Sequence, residues 1–175
     1  PIKDISKRDL SLKVVVSQNN NTSSKSFPFN IKNAMIFDGI DNIDTALLQM
    51  SYILTSEEKK ELKNLKQSEK EKFFRKVWAK RDPVVQTKIN ELMEEYYTRV
   101  GFAEESFSRG TSGGWKSDMG MVYILFGKPD DMVRSMNMQG SYNYETWYYF
   151  QINEEFTFID EYGFGDYRLR TPLLY

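Results

Sequence analysis

The chain has no histidine and no cysteine in its 175 residues. Histidine is the side chain most used for proton transfer near neutral pH. Its absence also excludes Ser–His and Cys–His nucleophile activation. The absence of cysteine excludes thiol catalysis, disulfides and zinc–thiolate sites. It does not fix a compartment, because small exported proteins do without it. No apolar run approaches the roughly 18 residues that a transmembrane helix needs. The net charge is −1, so no global field draws the chain to nucleic acid or to an anionic membrane. The sequence opens at Pro1 with neither an initiator methionine nor a signal-peptide pattern. That reads as a processed protein or a fragment of a longer one.

What is present is ordinary in bulk and uneven in detail. Hydrophobic residues make up 40% and charged residues 28%, the proportions of a globular chain large enough to bury a core. Charge and aromatics are segregated. Residues 56–81 hold eight Lys, two Arg and five Glu, a local net of +5, whereas residues 130–175 hold eight acids and three Arg, a net of −5. Eleven of the 26 aromatics lie within 142–167. A solvated helical face accounts for the basic run, and the acidic half is expected to face it within the molecule.

Leu10, Leu12, Val14 and Val16 alternate with Ser11, Lys13, Val15 and Ser17, the period of a half-buried strand. Residues 19–24 form a polar turn, and alternation resumes at Phe27, Phe29 and Ile31. A lone hairpin is marginal in water, so residues 1–33 are expected to be the tail of an upstream β-sandwich. Residues 34–175 form the main domain.

Helices are expected over about 41–107. Asp41 or Asn42 caps the first, with Ile43, Leu47, Met50 and Leu54 as its apolar stripe. Thr55 with Glu58 and Ser68 with Glu71 fit the capping box. Asp82-Pro83 starts a long helix, striped by Val85, Ile89, Leu92, Met93, Tyr96, Val100, Ala103 and Phe107. Glu95 and Arg99 form an i,i+4 surface pair.

Gly113-Gly114-Trp115-Lys116-Ser117-Asp118 organises the rest. Glycine supplies a flexible joint, and Ser117 or Asp118 can cap a helix. Met119, Val122, Tyr123 and Phe126 share one helical face, and Gly127 with Pro129 ends it. Val122 to Phe126 is also a strong β run, but the agreeing start and stop signals favour a short helix over 118–126. Strands follow at about 132–138, 143–151, 154–160 and 166–170. The fold class is therefore α+β: an N-terminal hairpin, then three to four helices packed on a small antiparallel sheet at about 132–170. Along 144–150 one face of the sheet carries Tyr144, Tyr148 and Phe150 and the other Trp147 and Tyr149. Covered, these rings are core; exposed, they are a binding surface.

Gly114-Trp115-Lys116-Ser117-Asp118 resembles the signature of the GWxTD-domain proteins of bacterial envelopes, with serine in place of the usual threonine. The likeness continues in Arg81-Asp82-Pro83, Asn90-Glu91, Glu95-Tyr96, Arg99 and Val100. Further on it takes in Glu145 to Tyr149 and Phe156 to Asp160, so it spans about residues 43–170. The chain departs from the family pattern at Met119 and Met121, where arginine is common, so no role needing positive charge there is implied. Val122, Gly127, Pro129 and Trp147-Tyr148-Tyr149 are fainter in likeness. They are similar to the core of SmpA/OmlA-type lipoproteins, which are non-enzymatic scaffolds of outer-membrane protein assembly.

These resemblances imply a periplasmic or outer-membrane-associated location and an interaction or scaffold module with an envelope protein partner. They bring no cofactor, metal or catalytic residue. The candidate binding residues are Trp115, Asp118, Tyr144, Trp147 and Tyr149. The alternatives are glycan or peptide binding on the aromatic sheet, or a carboxylate hydrolase, which needs two acids beside an aromatic cleft. Asp118, Asp130, Asp160 and Asp166 are its candidates. The expectation leans away from an enzyme. Nucleic acid is not expected as a partner, because the basic helices lack interleaved aromatics and the aromatic sheet is acidic.

Overall fold

In a computed structural model, residues 9–18 and 21–30 are described by their backbone. Residues 42–84, 90–109, 113–135 and 142–170 are described with their side chains. The chain divides into two units, residues 1–41 and 42–175.

In the first unit β1 (Asp9–Gln18) pairs antiparallel with β2 (Asn21–Asn30). Leu10 lies opposite Phe29 and Leu12 opposite Phe27. The expected turn was too long. Residues 21–24 belong to β2, and the Gln18–Asn21 pair leaves only two residues between the strands. Ile31 lies outside the described residues.

The second unit is α+β. Helix α1 (Ile43–Gln49) is capped by Asn42, whose Oδ1 accepts from the Asp44 and Thr45 N–H groups at 3.0 and 3.1 Å. A 3-10 turn over Met50–Tyr52 follows, and Leu47, Met50 and Leu54 are buried. Helix α2 (Ser56–Lys63) opens on the expected capping box: the Glu58 N–H donates to Thr55 Oγ1 and the Thr55 N–H to Glu58 Oε2. Helix α3 (Gln67–Ala79) begins a little earlier than read from Ser68. Its first reciprocal bond is from the Lys66 N–H to Glu69 Oε2, at 2.9 Å. Phe73, Phe74, Val77 and Trp78 make its buried face.

The long helix starts later than the Asp82-Pro83 signal suggested. Helix α4 (Glu91–Phe107) is capped by Asn90, whose side chain accepts from the Met93 N–H at 2.9 Å. The Asp82 carboxylate instead closes a local turn by accepting from the Val84 N–H. Val85 and Ile89 lie outside the described residues. Met93, Tyr96, Val100 and Ala103 are buried as expected, but Leu92 is exposed. In the first turn only the face carrying Met93 and Tyr96 meets the other helices. Tyr96 and Tyr97 donate to the Gln49 and Ala46 carbonyls, at 2.6 and 2.9 Å. The Ala46 carbonyl also accepts the Met50 N–H that closes α1, so the Tyr97 hydroxyl is its second donor. Burial pushes both phenols well above the usual tyrosine value.

Helix α5 (Asp118–Phe126) resolves the helix–strand ambiguity in favour of the helix. Met119, Val122 and Ile124 are buried, and Tyr123 and Phe126 pack on the core. This helix is apolar on more than one face because α4 and the sheet both pack on it.

The sheet runs β3 (Asp131–Ser135), β4 (Asn143–Tyr149), β5 (Glu154–Asp160) and β6 (Arg168–Leu169), antiparallel throughout. Trp147, Tyr149, Phe156 and Phe158 form its inner face against α5 and the end of α4. Phe126 stacks on Phe156, and Phe107 lies 5.7 Å from Trp147 between ring centroids. The expected pairing of acidic sheet with basic helices gains no support. Among the described residues the helices' ion pairs stay among helices, as Lys70–Asp44, Lys76–Glu61 and Arg81–Glu58. The sheet's stay in the sheet region, as Arg134–Glu145 and Arg168–Asp166. Among the described residues no helix is long and apolar enough to cross a membrane.

Candidate functional site

The Gly114–Asp118 stretch joins four parts of the fold. Gly114 is buried against the end of α4, so closely that a Cβ there would stand 2.1 Å from the Ala103 carbonyl oxygen and 2.6 Å from the Ser108 nitrogen. The Ser108 hydroxyl accepts from the Gly114 N–H at 2.9 Å. The Trp115 carbonyl accepts from Tyr52 Oη at 2.9 Å, and the two rings meet edge to face. The Trp115 ring is partly exposed, with Lys116 Nζ 5.1 Å from its centroid. Ser117 caps α5: its Oγ donates to the Gly114 carbonyl at 2.7 Å and accepts from the Gly120 N–H at 3.0 Å. A threonine hydroxyl offers the same donor and acceptor. Asp118 is not the cap; its Oδ2 accepts from the Leu169 N–H at 2.8 Å and ties α5 to β6.

A sequence model of the GWxTD domain matches residues 13–167. The chain belongs to the GWxTD-domain family. No curated protein and no solved structure matches it. The GWxTD match begins upstream of the residues that carried the resemblance and takes in β2 and most of β1. In this GWxTD domain the signature is a junction: Gly114, Ser117 and Asp118 hold backbone, Trp115 holds Tyr52, and Lys116 lies exposed over the Trp115 ring.

A prediction follows for Asp118. Asp118→Asn keeps an oxygen for the Leu169 N–H and leaves the Ser117 cap intact, so it should cost no more than about 1 kcal/mol. Asp118→Ala strands a part-buried donor and should cost about 1–3 kcal/mol. Urea denaturation compares them; equal losses would show that the hydrogen bond is not what Asp118 contributes.

The other candidates separate by face. Trp147 is 2% and Tyr149 5% exposed, so both are core residues of this structure. Tyr149 Oη donates to the Gly127 carbonyl at 2.8 Å, and Trp147 Nε1 to Glu145 Oε1 at 2.7 Å. Glu145 entered the sequence reading only through the family resemblance, with no role of its own. It is buried, and the exposed Arg134 opposite it in the register donates Nε to Oε2 at 2.6 Å. The period-two pattern places Glu145 on the Trp147 face; that was the signal that could have found it.

Tyr144 is on the outer face and 40% exposed. Its strand leads back to Tyr142, 58% exposed, and the Asn143–Asp160 pair sets both beside the 161–165 loop, where Tyr162 and Phe164 are 77% and 84% exposed. That loop is shaped by Gly163 and Gly165 at positive φ and tied by Asp160, whose Oδ2 accepts from the Gly165 N–H.

Each carboxylate read as a hydrolase candidate is engaged in a structural hydrogen bond. Asp118 bonds Leu169, Asp130 the Phe150 N–H, Asp160 the Gly165 N–H, and Asp166 the Arg168 guanidinium. Of the four only Asp130 borders a cleft of about 630 Å³ between α4, the end of α5 and the turn after β4. Glu95 and Arg99 line it too, with Phe102, Lys128 and Gln151. Arg99 Nε donates to Glu95 at 2.8 Å, and its Nη1 reaches the Ile124 and Leu125 carbonyls at the end of α5. Its guanidinium lies against Gly127, at φ +80°, where a Cβ would stand 3.2 Å from it. Among the described residues no group of three or more Asp or Glu is placed to hold a metal ion.

Proposed function

We propose that this GWxTD domain is a non-enzymatic interaction module of the bacterial cell envelope, and that its protein partner docks on the open end of the sheet. The envelope location rests on the resemblance alone. The observation that carries the surface is the exposure of Tyr142, Tyr144, Tyr162 and Phe164 at one end of the sheet. Exposed aromatics on ordered backbone give large contact area at small entropic cost, and they are enriched at interfaces. Asp166 is paired with Arg168 and the Arg109 guanidinium lies against Gly165, so the fitting partner presents chiefly apolar groups.

The test is site-specific photo-crosslinking at position 164 in envelope extracts. One specific product is expected, lost on Tyr144→Ser. Both side chains are exposed, so the changes should leave stability within about 0.5 kcal/mol. A fully folded protein that crosslinks nothing specific, or whose product ignores Tyr144→Ser, would sink this reading.

The alternative, a carboxylate hydrolase, keeps one observation: Asp130 and Glu95 share a cleft with an aromatic ring. Cleavage of an oligosaccharide, abolished by Asp130→Asn, would carry that reading instead.

A further inference from the structure

We infer that the cleft between α4, the end of α5 and the turn after β4 binds a short uncharged oligosaccharide. This is independent of the docking surface, which lies on other residues. The cleft's size, about 630 Å³, falls within the roughly 300–1,000 Å³ of small-molecule sites.

Its chemistry narrows the ligand. Two acids, Glu95 and Asp130, and two bases, Arg99 and Lys128, line it, so its charges cancel. Arg99 is already committed in part, to Glu95 and to the carbonyls that α5 leaves unpaired. A strongly anionic ligand therefore finds no surplus of positive charge. A wholly apolar ligand would strip water from these groups and give nothing back, which is costly. The ligand must offer many neutral donors and acceptors together with an apolar face.

A sugar ring does both. Arg99, Glu95, Asp130 and Gln151 are planar polar groups, of the kind that bond adjacent hydroxyls in pairs. Arg99 Nη2 makes no hydrogen bond among the described residues, so two N–H donors remain for a ligand. Phe102 supplies the apolar contact: it is 45% exposed, and Tyr123 stacks on it with centroids 4.3 Å apart. An aromatic face carries negative potential, which attracts the polarised C–H groups of a pyranose face. Glu95, Arg99 and Phe102 reach the cleft together because spacings of four and three residues set them on one side of α4. The cleft's opposite wall comes from the chain leaving α5 at Gly127.

Titration of the full 175-residue chain with cellotriose, maltotriose and triacetylchitotriose tests this, followed by calorimetry and by amide NMR shifts. At least one sugar should bind saturably, with Kd in the millimolar range or tighter. Phe102→Leu keeps apolar bulk and removes the ring, and Gln151→Ala removes a polar partner on an exposed turn. Each should weaken binding about tenfold or more; Gln151→Ala should leave the thermal transition in place, Phe102→Leu should lower it by only a few degrees through its lost contacts with Tyr123 and Phe107, and Tyr144→Ser should change nothing. No binding of any of the three up to about 20 mM would overturn the inference. So would binding that survives Phe102→Leu, or a cleft that takes up acetate or phosphate and ignores the sugars. Loss of the partner crosslink at position 164 leaves this result untouched, so the two proposals fail separately.

Discussion

Gly114→Ala should cost the domain more than about 3 kcal/mol and lower its thermal midpoint by about 10 °C. Overpacking a core usually costs about 1–3 kcal/mol, because side chains shift to make room. Here the added methyl meets backbone: the Ala103 carbonyl oxygen at 2.1 Å, the Ser108 nitrogen at 2.6 Å and the Phe107 carbonyl carbon at 2.8 Å. No rotamer change relieves those contacts, so the end of α4 must move away from the junction. That movement breaks the Ser108 bond to the Gly114 N–H and disturbs the Ser117 cap that uses the Gly114 carbonyl. Against a total of about 5–15 kcal/mol for a folded domain, the variant is marginal. Gly163→Ala is the control. Nothing lies within 4 Å of a Cβ at Gly163, whose φ is +72°, so that change pays only left-handed backbone strain, about 1–2 kcal/mol. Thermal and urea denaturation of both proteins decide the matter. A Gly114→Ala midpoint within about 2 °C of the parent would refute the close-packing account.

Arg81→Met should cost about 3–5 kcal/mol at neutral pH, the usual result of removing one partner from a buried ion pair. Arg81 forms a fork on Glu58, with Nη1 to Oε1 at 3.1 Å and Nη2 to Oε2 at 2.6 Å. It also donates to the Val77 and Ile53 carbonyls. Glu58 is buried, so without Arg81 its charge is stranded.

The sign of the pH dependence follows. In the parent the Arg81 hydrogen bonds hold the Glu58 carboxyl below its usual value of 4.5, against the opposing effect of burial. That stabilisation is fully present above pH 4.5 and is lost as the pH falls through the lower folded value. In Arg81→Met burial, the Thr55 N–H and the Lys80 charge remain to act on Glu58; burial, the largest of the three, favours the neutral acid. The variant's deficit should therefore shrink between about pH 6 and pH 4 as Glu58 takes up a proton. Arg81→Met combined with Glu58→Gln should recover part of the loss at neutral pH, because glutamine brings no charge and keeps an oxygen for the Thr55 N–H. A deficit that stays constant from pH 7 to pH 4 would show that Arg81 acts through packing alone.

Both effects concern residues that carried the family resemblance, and both are architectural. In the sequence Arg81 stood beside Asp82-Pro83, which looked like a helix start. In the fold it stands at the end of α3 and reaches back 23 residues to Glu58 and 28 to Ile53. The helix start itself lies at Asn90, because its side chain meets the Met93 N–H there while Asp82 spends its carboxylate on a turn. Similar Asx chemistry serves a cap and a turn alike, and the sequence offers no means of choosing.

What the sequence determined alone was the local chemistry. A cap at Asp41 or Asn42, the Thr55–Glu58 box, the Gly127 stop and the period-two split of Tyr144 from Trp147 all act within a few residues. Bonds and periods of that reach depend on side-chain type and spacing. It also determined the α+β class, since stop signals and a change of period separate the helices from the sheet.

What only the tertiary structure decided was which face met water and which polar groups met each other. Trp147 and Tyr149 became core, and Tyr142, Tyr144, Tyr162 and Phe164 became surface, because α5 covers one side of the sheet. Asp118 found a donor 51 residues away at Leu169. The Glu95–Arg99 pair, ordinary on a helical wheel, became the wall of a cleft only when α5 ended at Gly127 and the sheet closed beside it. Burial depends on the whole packing and long-range pairing on chain topology, and neither is written in the spacing of neighbouring residues.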